Sequence, residues 1–195
     1  MTDRDRFAER GRSLEDDYFR KKDQELIENM RRAAAAERAR AEKDQVRAEM
    51  GQKVGITDPA LLLELEARGF TPDTVVLLPL VPAVQMAWAE GGVTAAERDL
   101  LVRLARRRGV AAGSAADRQL AAWLDARPGE HVFASATRLI RAMLESPGTR
   151  DLTADELVKH SEAIAAASGG VFGLNRISTE ERQLLTALAD ELKAR

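Results

Sequence analysis

From Leu14 to Met50 the chain contains neither glycine nor proline. The run is built largely from Ala, Glu, Arg, Lys and Gln, which lose little side-chain freedom in a helix. A single helix is the regular structure such a stretch can adopt, and it would be roughly 55 Å long at 1.5 Å per residue. Ser13, with Asp16 three residues on, has the spacing of a capping box, with Asp in place of the usual Glu. Glu15, Asp16 and Asp17 would then fall in the first turn, where the helix dipole favours anions. Apolar residues are sparse: Leu14, Tyr18, Phe19, Leu26, Ile27 and Met30, then mostly alanine, then Val46 and Met50. They make no sustained heptad, so a stable coiled coil is not expected. A helix this polar gains little from burial, so it is expected to fray alone and to firm up on a partner.

Charge density marks where this segment stops. Residues 1–50 hold 13 basic and 13 acidic residues, against 17 and 19 in all the rest of the 195-residue chain. The chain is therefore divided near Gly51 into a charged helical arm, residues 1–52, and a globular body, residues 53–195. The net charge of −2 argues against a global pull toward nucleic acid or anionic membrane. With no cysteine there is no disulfide, thiol chemistry or thiolate metal site, which suits a cytoplasmic setting. The N-terminal MTDRDRFAERGRS lacks the apolar core of a signal peptide. The longest apolar stretch, VVLLPLVPAV, is interrupted by Pro79 and Pro82 and is too short to span a bilayer.

The body reads as all-α, because each segment carries helix start and stop signals and none alternates like a strand. Asp58-Pro59 opens a helix that Gly69 ends. Thr71-Pro72 opens another, which Pro79 must interrupt. A third begins near Pro82 and runs through Trp88 to Gly91. Thr94 and Glu97 form a capping box for a helix that ends at Gly109. Ser114 with Asp117 opens a helix that stops before Pro128. Residues 130–145 are expected to be one amphipathic helix with Val132, Phe133, Ala136, Leu139, Ile140, Met143 and Leu144 on its inner face. Thr153 with Glu156 caps a helix ending at Gly169. Ser178 with Glu181 caps the last helix, with Leu184, Leu185, Leu188 and Leu192 inward. TAAERDLLVRLA at 94–105 and STEERQLLTALA at 178–189 are identical at six of twelve positions, and a Gly-Gly pair precedes each. A helix–GlyGly–helix unit therefore occurs twice, and a pseudo-symmetric bundle of short helices is expected. In it Leu100, Leu101 and Leu104 would pack against Leu184, Leu185 and Leu188.

The first unit reads WAEGGVTAAE. Glu90 closes one helix and Glu97 sits in the first turn of the next, and two carboxylates across a tight turn suit a hard cation. The stretch PLVPAVQMAWAEGGVTAAERDLLVRLA resembles the tellurite-resistance TerB-like family, and the resemblance extends over about residues 57–193. It implies an all-helical fold and a metal ion held by acidic residues, with Glu97 on the family's glutamate and Glu90 in place of its aspartate. In the second unit Ser168 stands where an acid is wanted, and Glu181 alone remains. The capping box by itself also accounts for Glu97 and Glu181, and at most weak divalent-cation binding is expected; no other cofactor is implied. His131 and His160 have no histidine partner at ligand spacing. No nucleophile triad or phosphate loop is present, and the protein is not expected to be an enzyme. Arg103 and Arg106–Arg108 suit a helix C-terminus without any nucleic acid. Trp88 and Trp123 are expected in the core.

The arm carries a second resemblance. SLEDDYFRKKDQELIE is similar to the inhibitory segment of the natural F1-ATPase inhibitor protein family. Glu15 and Asp16 match its acidic run; Tyr18, Phe19 and Arg20 match its Tyr-Phe-Arg triplet; Asp23 and Glu25 match later acids, and Ile27 stands for a leucine. Phe7 and Arg10 also have counterparts. Asp17 departs where the family usually has Arg, Lys21 also differs, and the family's histidine-rich dimerising coiled coil has no counterpart. The resemblance implies a non-enzymatic regulator whose partner-binding residues are Glu15, Asp16, Tyr18, Phe19, Arg20, Asp23, Glu25 and Ile27. Its partners would be the α and β subunits of F1-ATPase. Two readings of the rings stay open: a partner buries them, or they staple the arm to its own body. Under the second, the chain is a TerB-like stress or tellurite-resistance protein whose arm is a spacer.

Overall fold

The computed structural model describes residues 3–145, 152–167 and 177–193, with side chains from Tyr18 onward. Among them every regular element is helical, as the cap signals predict. Contacts divide the chain into a unit of residues 1–45 and a larger unit, Val46–Arg195.

Helix α1 spans Asp3–Val54. It starts ten residues before Ser13, so the expected capping box does not open it. A lone Gly11 costs a helix only about 1 kcal/mol, too little to break a segment whose neighbours favour helix. The helix also runs through Gly51 instead of stopping there. It ends at Gly55, whose φ of +71° is the left-handed conformation glycine tolerates. Gly51 serves a different purpose. A Cβ there would lie 2.4 Å from the Ile56 carbonyl oxygen, so only glycine lets the chain fold back this tightly. Within the larger unit the last turns of α1 and the turn that follows are core: Met50, Val54 and Ile56 are buried. Arg47 is paired with Glu66 at 2.6 Å and Lys53 with Asp73 at 3.6 Å.

Helix α2, Pro59–Ala67, begins at Asp58, whose carboxylate accepts from the Ala60 N–H at 2.8 Å. The helix expected from Thr71-Pro72 is instead a turn followed by a 3-10 segment, Val75–Leu80. Pro79 and Pro82 have no N–H to return to residues 75 and 78, so α-type bonding cannot build through this stretch. The segment runs directly into α3, Val81–Ala87, and almost every residue from Val75 to Ala87 is buried. A helix apolar on all sides belongs at the centre of a bundle.

Helices α4, Ala95–Arg107, and α5, Ala115–Asp125, begin at Thr94 and Ser114, as their caps predict. The amphipathic stretch expected as one helix is two: α6, Glu130–Phe133, and α7, Ala136–Glu145. The break falls at Ser135, which is buried and whose carbonyl accepts from Leu139 N at 3.0 Å, starting a new helical ladder. The apolar face survives the break, with Val132, Phe133, Ala136, Leu139, Ile140 and Met143 all buried. Helices α8, Ala154–Ala167, and α9, Thr179–Lys193, complete the fold.

The two halves of the repeat, α3–α4 and α8–α9, share one core. Their principal contacts run between α3 and α8, between α8 and α9 and between α4 and α8. Leu101, Leu104 and Leu188 are buried, and Leu100, Leu184 and Leu185 pack on the same core. Helix α8 packs against both α4 and α9, so the leucines of the two copies belong to one core. The second Gly-Gly pair and Ser168 lie outside the described residues.

Candidate functional site

On α1 the side chains of Tyr18, Phe19, Leu26, Ile27 and Met30 are 48–64% exposed. Phe19, Leu26 and Met30 stand at i, i+7 and i+11 and therefore share one helical face; Ile27 lies beside it. Tyr18 is one residue from Phe19, hence about 100° around the helix from it. The two rings still touch edge to face, with centroids 5.8 Å apart and planes at 74°. Lys22 reaches back over the Tyr18 ring at 5.9 Å and pairs with Glu25 at 3.4 Å. Glu28 and Arg32 pair one turn on, at 3.8 Å. These ion pairs are exposed and of the kind that contribute a few tenths of a kcal/mol to a helix.

Of the partner-binding residues expected from sequence, Tyr18, Phe19, Arg20, Asp23, Glu25 and Ile27 lie within about two and a half turns of this helix, all exposed. The backbone at Glu15 and Asp16 is helical, and their side chains lie outside the described residues. Leu26 and Met30 belong to the apolar stripe too. Their spacing from Phe19 is the sequence signal that places them there.

The acidic turns of the body are built differently. Glu97 is 2% exposed and Glu181 is fully buried. Glu97 Oε2 accepts from the Thr94 N–H and from the Thr94 hydroxyl, each at 2.7 Å, and the Glu97 N–H donates back to Thr94 Oγ1 at 3.3 Å. Glu181 repeats the arrangement with Ser178, its Oε2 accepting from the Ser178 N–H at 2.7 Å. Burial pushes the Glu97 carboxyl above its ordinary value; the bonds from Thr94 pull it down, and Glu181 and Glu90 push it up again. Two equivalent capping carboxylates, one from each repeat, thus feel one another inside the bundle.

Glu90 is exposed. Among the described residues no group of three His, Asp or Glu side chains is placed to hold a metal ion. One Glu97 oxygen is already taken by Thr94, and a hard cation normally takes six or more oxygen ligands. The Glu90–Glu97 pair does not fit a resident metal.

The basic cluster at the end of α4 is partly structural. Arg106 donates to Asp117 at 2.7 Å and to the Val110 carbonyl at 3.0 Å, closing the α4–α5 turn. The Gly113 N–H bond and then Arg106 hold the Asp117 carboxyl below its ordinary value. His160 is pushed down by burial and then by Arg108, and its Nδ1 has no hydrogen-bond partner. Trp88 and Trp123 are half-buried against the core, the Trp88 indole N–H donating to the Trp123 carbonyl at 2.8 Å. No described helix is long and apolar enough to cross a membrane. The chain matches no protein-family model, no curated protein and no solved structure.

Proposed function

We propose that this protein is a non-enzymatic regulator whose arm inhibits ATP hydrolysis by the F1 sector of ATP synthase. The observation that carries the reading is the exposure of five large apolar side chains, Tyr18, Phe19, Leu26, Ile27 and Met30, clustered on one stretch of a highly charged helix. Large apolar groups on a polar helix have a physical use when a groove encloses them. The resemblance of the acidic run and the Tyr-Phe-Arg triplet to F1 inhibitor segments supplies the partner. The helix wedges into a closing catalytic αβ interface. Tyr18 and Phe19 act as anchors, and Glu15, Asp16, Arg20, Asp23 and Glu25 set register and partner choice by charge. The TerB-like body localises or regulates the arm.

Burying each ring contributes up to about 1.5–3 kcal/mol before ordering costs. Tyr18→Ala/Phe19→Ala should therefore weaken inhibition by about one to three orders of magnitude, at roughly 1.4 kcal/mol per decade. Thermal melting of the body should stay nearly unchanged. An ATPase titration beside a melt of both proteins tests this. A wild type that never inhibits, with a double variant that melts several degrees lower, would make the rings intramolecular staples. The TerB-like stress-protein reading would then stand instead.

A further inference from the structure

A second feature of the larger unit lies away from the arm's apolar stripe and from the acidic turns. Where the end of α2 and the turn after it approach α5 and the loop into α6, a cavity of about 280 Å³ opens to solvent. Phe70 and Trp123 form one part of its wall, edge to face, with centroids 6.1 Å apart and planes at 79°. Arg68, Gln119 and His131 add polar groups to the same wall. No acidic residue lines it. Arg68 is 3.5 Å from Glu64, but Glu64 also pairs with Arg138, so one carboxylate is shared by two guanidiniums and positive charge is left over. Gly129 keeps the wall thin beside His131, since a Cβ there would lie 2.7 Å from the imidazole.

We propose that this cavity binds a small aromatic carboxylate. Aromatic side chains with a few convergent polar groups are the usual makeup of a small-molecule site. The edge-to-face pair offers a planar ring an apolar surface on which to pack. Arg68 is the one guanidinium in the wall, no acidic residue there offsets it, and its planar fork matches a carboxylate. The groove between α8 and α9 makes a useful contrast. It is larger and shallower, and Lys159 and Arg182 there are offset by Glu162 and Asp190, so it has no preference for an anion.

The test is a titration of the full chain with benzoate and with benzamide, its uncharged analogue, followed by amide and indole NMR shifts. The expected result is saturable millimolar binding of benzoate with shifts concentrated at Gly69, Gln119, the Trp123 indole and Gly129. Benzamide should bind at least about tenfold more weakly, the loss of one charge-assisted contact. Arg68→Gln should weaken benzoate to the same degree, and His131→Ala, at an exposed position, should weaken it less without touching the fold. Equal binding of benzamide, shifts scattered over the surface, or no saturation by benzoate would each overturn the proposal. Should Arg68→Gln fail to fold, the benzoate–benzamide comparison and His131→Ala still decide it.

Discussion

At Glu97, capping and burial pull in opposite directions. The Thr94 bonds need an acceptor oxygen, which a glutamine amide also offers; burial and the neighbouring Glu181 and Glu90 oppose the charge. A carboxyl pushed up in the fold stabilises the folded state most at low pH. That contribution is lost as pH rises through the folded value, above the ordinary 4.5. Glu97→Gln should therefore gain stability relative to wild type as pH increases from 4.5 to neutrality, read by thermal melts across that range. Glu97→Ala should follow the same pH trend, offset by a further cost of about 1–2 kcal/mol, because it also removes the cap and leaves a cavity. A Glu97→Gln difference that stays flat with pH would remove the account of an opposed buried charge.

Gly51 shows at the level of elements why the helix ends of this chain were only partly legible. The caps at Thr94, Ser114, Thr153 and Ser178 were readable because their signal is local, a hydroxyl followed three residues later by an acid. Gly51 and Ser13 carry equally local signals and mislead: nothing in the sequence says that the Ile56 carbonyl folds back onto Gly51. The same holds for Ser135, whose burial and carbonyl bond split one amphipathic stretch into α6 and α7. The cavity walled by Phe70 and Trp123 joins residues more than fifty positions apart, and no spacing rule reaches that far. Gly51→Ala should destabilise the protein by about 1–3 kcal/mol, because the backbone must shift to admit a methyl group. Urea unfolding would show this as a lower midpoint with an unchanged slope. On α1, Leu26→Ala and Met30→Ala should each weaken F1 inhibition about threefold to thirtyfold, if the shared face with Phe19 is the one enclosed. Leu63→Ala, an equally exposed leucine of α2, should leave inhibition unchanged and serves as the control.

Taken whole, the chain has two units with different amounts of apolar material to bury. The described residues of the larger unit build one continuous core that includes the run from Val75 to Ala87. The arm, with 26 charged residues in its first 50, offers a stripe of exposed apolar side chains instead. That contrast is the basis for assigning recognition to the arm and support to the body. The most direct test is a titration of F1-catalysed ATP hydrolysis with a synthetic peptide of residues 1–45. Saturable inhibition, lost on replacing Tyr18 and Phe19 by alanine, is the predicted result. A peptide that leaves hydrolysis untouched at concentrations where the peptide is soluble and intact, with the full chain equally inert, would contradict it.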